Sequence, residues 1–591
     1  MNTLTANDPL LDISIATTQS DAKIKLTLKS AKDGLLIYTF TYETDSPKEP
    51  DAIRLDWKLP MLNVKGIWKS GSIHDKRQQY DWELEHLRSR ISVDAPIVCA
   101  FGYEDENVIT FACQDAVNLV ELNALLREED NHLYCHLRLF TERHPEITQY
   151  QTEIRIDTRG HHFSEALKQT AKWYTEEPMY QHAPVPPLAR EPLYSTWYQF
   201  HQELSEPILL EEFEIAKSLG YKLAIIDDGW QTRDSNRGYD YTGDWQPERM
   251  PEMRAFVDQV HALGMKIGLW FSVPFCGKKS KAYQTFSGKF LTDTHRWAPV
   301  FDPRYPEVRA HLIGLYVRAV RDWDMDALKL DFIDDFQVYE QTELTKANGR
   351  DYASVNEAVH RLMSDVMQSL RAIKPDIAIE FRQKYIGPAM MHFGNMFRAF
   401  DCPNDPVTNR IRTTDVKLLC GEAAVHSDPI TWHSDDRIEL AAIQLINSLY
   451  SVPQLSVNLR DTSPGFLQMI AFYTRYWAEH RSILLDGHFV PQGPLANYPL
   501  LRSKKDGHVI LAIHEPMVAT IETSNCIQID VFNASMDSML VLRNQGDSSR
   551  WELRIHNCQG HIIQERQIDL QAGLNEFSVP VAGLLKLQKT T

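Results

Sequence analysis

Residues 327–332 read ALKLDF. Apolar residues surround one lysine, Lys329, and one aspartate, Asp331, near the far end of a strand-like run. A core strand gains nothing from a terminal charge pair unless that pair is solvated or takes part in chemistry.

Outward from this stretch the chain repeats one pattern. Short apolar runs alternate with longer helix-patterned segments. Eight strands are expected, at 193–200, 222–228, 266–272, 327–332, 377–383, 396–401, 423–428 and 454–459. Between them lie helical candidates such as EEFEIAKSLG (211–220), EMRAFVDQVHALG (252–264) and NEAVHRLMSDVMQSLRAI (356–373). Gly220 and Gly264 suit C-terminal stops for the first two. Eight βα units predict a (β/α)8 barrel over 188–481. The competing reading is an open doubly wound sheet, but no GxGxxG opens the region.

The flanks read differently. Residues 1–187 carry alternating runs such as GLLIYTFTYE (34–43) and HLYCHLRLF (132–140), which predict a β-sandwich. One helix closes it, at 163–177, with Ala166, Leu167, Thr170, Ala171 and Tyr174 on one face. A linker follows, marked by Pro184, Pro186 and Pro187. Residues 482–591 return to short strands and predict a small C-terminal antiparallel β-domain. The expected class is therefore α/β, a TIM barrel flanked by two β-domains.

Composition narrows the function. A net charge of −18 over 591 residues weighs against nucleic acid or an anionic membrane as main partner. A neutral small molecule fits. The start, MNTLTANDPLLDISIATTQ, has neither a basic region nor an apolar core of a secretion signal. The eight cysteines are scattered without a CxxC, as expected of reduced thiols in a cytoplasmic protein. No metal-ligand spacing or phosphate-binding glycine loop is present, so no metal and no cofactor are expected. A homo-oligomer stays open.

In a barrel, functional residues gather at the C-terminal strand ends. There the chain presents Trp197 and Tyr198, then Asp227, Asp228 and Trp230, then Trp270. Further on come Lys329 and Asp331, Glu380 and Arg382, Arg398 and Asp401, and His426 and Asp428. Any one of them alone reads as a solvated terminus. Carboxylates and indoles recurring at one rim suit a sugar: hydroxyls need fixed acceptors, and the apolar face of a pyranose needs an aromatic plate.

LAIIDDGWQ (223–231), ALKLDF and FRAFDCPND (397–405) together resemble glycoside hydrolase family 36, which includes α-galactosidases. The resemblance covers about 190–460 and the order of domains. It implies a retaining exo-α-glycosidase acting on short oligosaccharides, most simply an α-galactosidase. It implies Asp331 as nucleophile and an acid/base after strand 6, Asp401, with Asp405 as alternative. Asp435 and Asp436 read instead as charges at a helix N-terminus. It further implies that Asp227 and Asp228 bind the 4- and 6-hydroxyls and that Lys329 binds a hydroxyl. Trp197, Trp230, Trp270 and Trp68 are candidates for the apolar wall, and Arg382 and Arg398 for holding a hydroxyl or carboxylate. Strand 3, GLWFSVPF (268–275), lacks the Glu that many relatives carry after the aromatic. Related α-glycosidases, transglycosylases and a non-catalytic sugar-binding barrel remain as alternatives. A metal-dependent barrel hydrolase lacks the His-rich cluster it would need.

Overall fold

The computed structural model describes residues 2–6, 11–83 and 86–590. The start of the chain, on which the expectation of no export signal rests, lies partly outside them. At the centre is an eight-stranded parallel sheet. Its strands are β1 (Leu193–Ser195), β2 (Leu223–Ile226), β3 (Lys266–Ser272), β4 (Ala327–Asp331), β5 (Ala378–Arg382), β6 (Met396–Arg398), β7 (Ala424–His426) and β8 (Gln454–Leu455). Strand β8 pairs with β1. Beside β7 the ring is closed by the Val452 amide donating to the Val425 carbonyl at 2.7 Å and the Ile430 amide to the Gln454 carbonyl at 2.8 Å. The strands are short and apolar because a parallel barrel buries both faces of each.

Several expected strands are shorter than their sequence suggests: 396–401, 423–428 and 454–459 are strand only over Met396–Arg398, Ala424–His426 and Gln454–Leu455. The run 193–200 is β1 for three residues only, and Trp197–Phe200 form one turn of helix. The amides of Tyr198 and Gln199 donate to the Ser456 hydroxyl at 3.1 and 3.2 Å instead of to a neighbouring strand. Trp197 and Tyr198 therefore sit on a turn above the sheet.

The N-terminal region is two six-stranded sheets facing each other. Tyr38, Phe40, Ile53, Leu55, Trp57, Phe111, Leu122 and Leu137 fill the space between them. The helix Phe163–Tyr174 buries Ala166, Leu167, Thr170, Ala171 and Tyr174, the face that its periodicity predicts. The proline-rich linker is packed down: Pro187–Arg190 form a 3-10 turn, and the Ala189 carbonyl meets His426 Nε2 at 2.7 Å. At the other end the last barrel helix runs Pro464–Asp486, and the C-terminal strands begin at His488. Those strands form a seven-stranded and a three-stranded sheet. Most pairs are antiparallel, but His508–Ile513 pairs with Gln528–Asn533 in parallel, as does Val518–Ile521 with Met539–Asn544.

Trp68 is where the three regions meet, and this corrects its expected place in the sugar site. It is fully buried, and its indole N–H donates to Asp415 Oδ1 at 2.8 Å. Lys76 Nζ pairs with the other oxygen at 3.0 Å, and the Tyr498 hydroxyl, from the C-terminal region, also donates to Asp415. Asp415 lies near the C-terminal end of the helix Pro406–Lys417, whose N-terminus adjoins the rim. Ten residues of helix put it roughly 15 Å below that rim. Trp68→Ala is expected to cost about 3–5 kcal/mol of stability, as for other fully buried aromatics. Equilibrium denaturation measures this. A loss below about 1 kcal/mol would show that the junction does not depend on the indole.

Candidate active site

The rim of β4 holds the expected pair. Strand neighbours β3 and β5 flank it in register: Ser272 opposes Asp331 and Glu380 opposes Lys329. Asp331 is only 6% exposed. Its Oδ1 accepts from Arg382 Nε at 2.6 Å, the Phe332 amide at 2.7 Å and the Tyr385 hydroxyl at 3.2 Å. Its Oδ2 accepts from the Trp270 indole at 2.9 Å. Phe332 reaches its amide position by adopting a left-handed conformation, φ +63°, which a bulky residue rarely takes. Burial alone would raise the pKa of Asp331. The charges of Arg382 and Lys329 and the Trp270 donor outweigh it and hold the carboxyl far below the usual range.

Lys329 turns to the other side and pairs with Asp227 Oδ2 at 2.6 Å. Asp228, next along, has no cation among the described residues. It accepts from the side-chain amides of Gln202 and Gln231, each at 2.7 Å. Burial, with Asp227 beside it, raises its pKa to about 6. The glycine of the DDGW stretch has a physical reason: Gly229 has φ +116°, and a Cβ there would lie 2.6 Å from Gln202 Cα.

Strand β6 supplies Arg398, fully buried and ringed by acids. It pairs with Asp401 at 2.8 Å, with Asp428, and with Glu380 at 3.6 Å. Asp428 also accepts from the Tyr198 hydroxyl at 2.8 Å and the Cys402 amide at 2.7 Å. Arg398 is thus a positioning residue for carboxylates. Asp401 stands just beyond the strand with its side chain 43% exposed. Its surroundings pull its pKa up through desolvation, but Arg398 and Lys329 prevail and lower it.

Two expected site residues belong elsewhere. Trp230 is wholly buried, donates to the Trp270 carbonyl at 2.9 Å and packs against Trp245 at 5.6 Å, so it supports the strand and faces no cleft. Asp405, the alternative acid, caps the helix Pro406–Lys417. Its oxygens accept from the Thr408 amide at 2.9 Å and hydroxyl at 2.5 Å. Asp435 is exposed in the turn before the helix Ile438–Asn447. Trp197 remains half-buried near the rim, against His201 and beneath the Arg237 guanidinium.

The structure adds residues that sequence reading passed over. Tyr239, in the loop after β2, has its pKa raised by burial and by the charges of Asp228, Asp331, Asp227 and Asp401. Its ring stacks 6.2 Å from that of Trp270, whose indole donates to Asp331, which places Tyr239 at the rim. Its ring packs 5.4 Å from Phe332 and 5.9 Å from the half-exposed Trp297. Nothing in RGYDYTGD (237–244) signals this, because loop residues carry no periodicity. Gln202, Gln231 and Tyr385 were likewise invisible as neutral side chains.

Residues 181–385 match the Melibiase family model. α-Galactosidase 2 of Pediococcus pentosaceus is 28% identical over 199 residues, 32% of this chain and 27% of that protein. α-Galactosidase Mel36A of Lactobacillus acidophilus is 26% identical over 206 residues, with the same shares. The match thus spans about a quarter of the length of these curated relatives. Among solved structures, the galactosidase domain of the α-galactosidase–sucrose kinase AgaSK superposes with TM-score 0.67 at 12% identity, covering 99% of this chain and 83% of that one. A single-substitution variant of the family 36 α-galactosidase AgaA of Geobacillus stearothermophilus, solved with 1-deoxygalactonojirimycin, gives 0.64 at 14% identity, over 99% and 84%. Over residues 181–385 the chain is thus similar to the Melibiase family and to curated α-galactosidases. The barrel flanked by β-domains is the fold of those structures.

Asp228 allows a test of the site's electrostatics. Its folded pKa, about 6, lies above its unfolded value, so it disfavours the folded state progressively as pH rises from about 4 to above 6. Asp228→Asn is expected to match the parent in stability near pH 4. It should exceed it by about 2–3 kcal/mol at pH 8. Thermal or urea unfolding across that range reads the difference. A gap that shrinks as pH rises would reverse the assignment.

Proposed function

We propose that this protein is a retaining exo-α-galactosidase that removes terminal α-linked galactose from short oligosaccharides. The observation that carries the reading is the environment of Asp331. A buried carboxylate is held ionised by Arg382, with one oxygen saturated by donors and the other, Oδ2, taking only the Trp270 N–H among the described contacts. That leaves Oδ2 a lone pair for attack on an anomeric carbon. Two relatives support the sugar: the neighbour solved with 1-deoxygalactonojirimycin, and another AgaA variant from Geobacillus stearothermophilus solved with raffinose.

In the first step Asp331 Oδ2 bonds to the anomeric carbon, and Asp401 gives a proton to the departing glycosidic oxygen. The galactosyl ester is then opened by water, whose proton returns to Asp401. The charge on Asp331 tends to raise the pKa of Asp401. Forming the ester cancels that charge, so the pKa of Asp401 falls and the group stays deprotonated, free to take the proton of the attacking water. Substrate that covers its exposed side chain raises the pKa at the outset, offsetting Arg398. Asp227, Asp228 and Lys329 take sugar hydroxyls, with Trp270, Trp197 and Tyr239 forming the apolar wall. More carboxylates than cations line the rim, which favours the positive charge that develops on the ring. All eight cysteines are buried and unpaired, which supports a reducing cytoplasm as its place of action.

A screen of nitrophenyl α- and β-glycosides tests the substrate, and only the α-galactoside should be turned over well. Asp331→Asn should lose at least about 10⁴-fold in kcat while remaining folded by circular dichroism. Full activity in that variant would end the proposal. Asp401→Ala should nearly abolish cleavage of melibiose yet keep much of the activity on a dinitrophenyl galactoside, whose leaving group needs no proton. In the parent, kcat/KM for melibiose should fall as pH rises, because the proton on Asp401 is lost. For the dinitrophenyl substrate this basic limb should be missing. Equal limbs for both would place the acid elsewhere.

A further inference from the structure

Well away in sequence from the reactive strand ends, three side chains converge where the last barrel helix meets the C-terminal sheet. His480 comes from the helix Pro464–Asp486, His508 from the strand His508–Ile513 and Asp530 from the strand Gln528–Asn533. The two strands run parallel with His508 opposite Gln528, so Asp530 stands two residues on, on the same face. His480 Nε2 lies 3.5 Å and His508 Nε2 3.3 Å from Asp530 Oδ2. Both nitrogens are buried, and neither has a well-formed hydrogen bond among the described residues. One ligand atom from each of the three residues fits within 4.8 Å of the others.

Two buried imidazole nitrogens that share one carboxylate oxygen at 3.3 and 3.5 Å without a well-formed hydrogen bond are poorly satisfied as they stand. Their placement matches something other than a hydrogen bond. A tetrahedral cation bound at about 2.0–2.1 Å holds its ligand atoms about 3.3–3.4 Å apart. The carboxylate is already oriented for this. Oδ2 accepts from the Tyr476 hydroxyl at 2.6 Å and Oδ1 from Gln528 Nε2 at 3.0 Å, the kind of outer support that fixes a ligating carboxylate. Lys586 Nζ lies 4.0 Å from the same oxygen, but its side chain is 30% exposed and can turn its charge to solvent. We propose that His480, His508 and Asp530 bind a borderline-soft divalent cation of the Zn²⁺ class, with water as fourth ligand, and that the ion pins the C-terminal sheet to the barrel. The donor set, two imidazoles and one carboxylate, favours such an ion over Ca²⁺ or Mg²⁺, which take oxygen.

The test uses the full chain dialysed against a chelator and titrated with Co²⁺. One equivalent should bind with the intense visible absorption of tetrahedral Co²⁺, and Zn²⁺ should displace it. Zn²⁺ should also raise the Tm. His508→Ala and His480→Gln should each weaken the ion by at least about tenfold and abolish the Tm rise, with galactoside turnover unchanged. The absence of tetrahedral bands in the parent would overturn the site even if both variants failed to fold. Parent-like affinity in either folded variant would do the same, because the ion would then sit elsewhere.

Discussion

A carboxylate as buried as Asp331 stays ionised only beside a cation held in good geometry, and Arg382 meets it at 2.6 Å. That pair constrains the rest of the rim. Arg382 itself is buried and leans on a second acid, Asp334, at 3.4 Å. Lys329, on the same strand as Asp331, is taken by Asp227 of the β2 end. Arg398 of β6 is shared among Asp401, Asp428 and Glu380. Each cation thus joins segments that are apart in the chain, so the charge network also fixes the geometry of the strand ends. Removing one partner would leave a buried charge uncompensated, which costs about 3–5 kcal/mol.

The N-terminal sandwich takes part in this arrangement. Arg90 donates to the Asp334 carbonyl at 3.3 Å and to Gln337 at 3.2 Å, and the Ser92 hydroxyl to the Phe336 carbonyl at 3.2 Å. The Asp94 amide donates to the Lys384 carbonyl at 2.6 Å. These bonds brace the two segments that follow Asp331 and Arg382. A reacting carboxylate has to be held within a fraction of an ångström, and a loop anchored at one end cannot do that alone. The flanking domain is therefore part of the scaffold of the site, although the residue expected to reach the sugar from it, Trp68, does not.

The acids outnumber the cations, and the surplus shows in their protonation. Burial raises the pKa of Glu380, of Asp228 to about 6 and of Asp428 to about 7. Asp331 and Asp401, each beside a dominant cation, are lowered. The two carboxylates proposed for the reaction are thereby separated electrically from Glu380, Asp228 and Asp428, though all are aspartates or glutamates at strand ends.

The eight βα units were legible in the residue pattern, because buried parallel strands must be short apolar runs and the intervening helices must carry a 3.6-residue stripe. So were the strand ends that carry charge, since a charged residue closing an apolar run has no structural reason to be there. What those side chains do was settled by packing. Trp230 and Trp270 read alike as indoles at neighbouring strand ends, yet one packs inward and the other donates to Asp331, a difference of side-chain direction that spacing does not encode. Asp401 and Asp405 both follow Arg398, but only the fold turns Asp405 into a helix cap. Trp68 leaves its expected place and Tyr239 joins the rim unannounced for the same reason: one lies in a domain junction, the other in a loop, and neither setting leaves a periodic trace. His480, His508 and Asp530 are 28 and 22 residues apart, so no motif could announce them. Contacts between segments distant in the chain depend on how the elements pack, and packing is written in no local stretch of sequence.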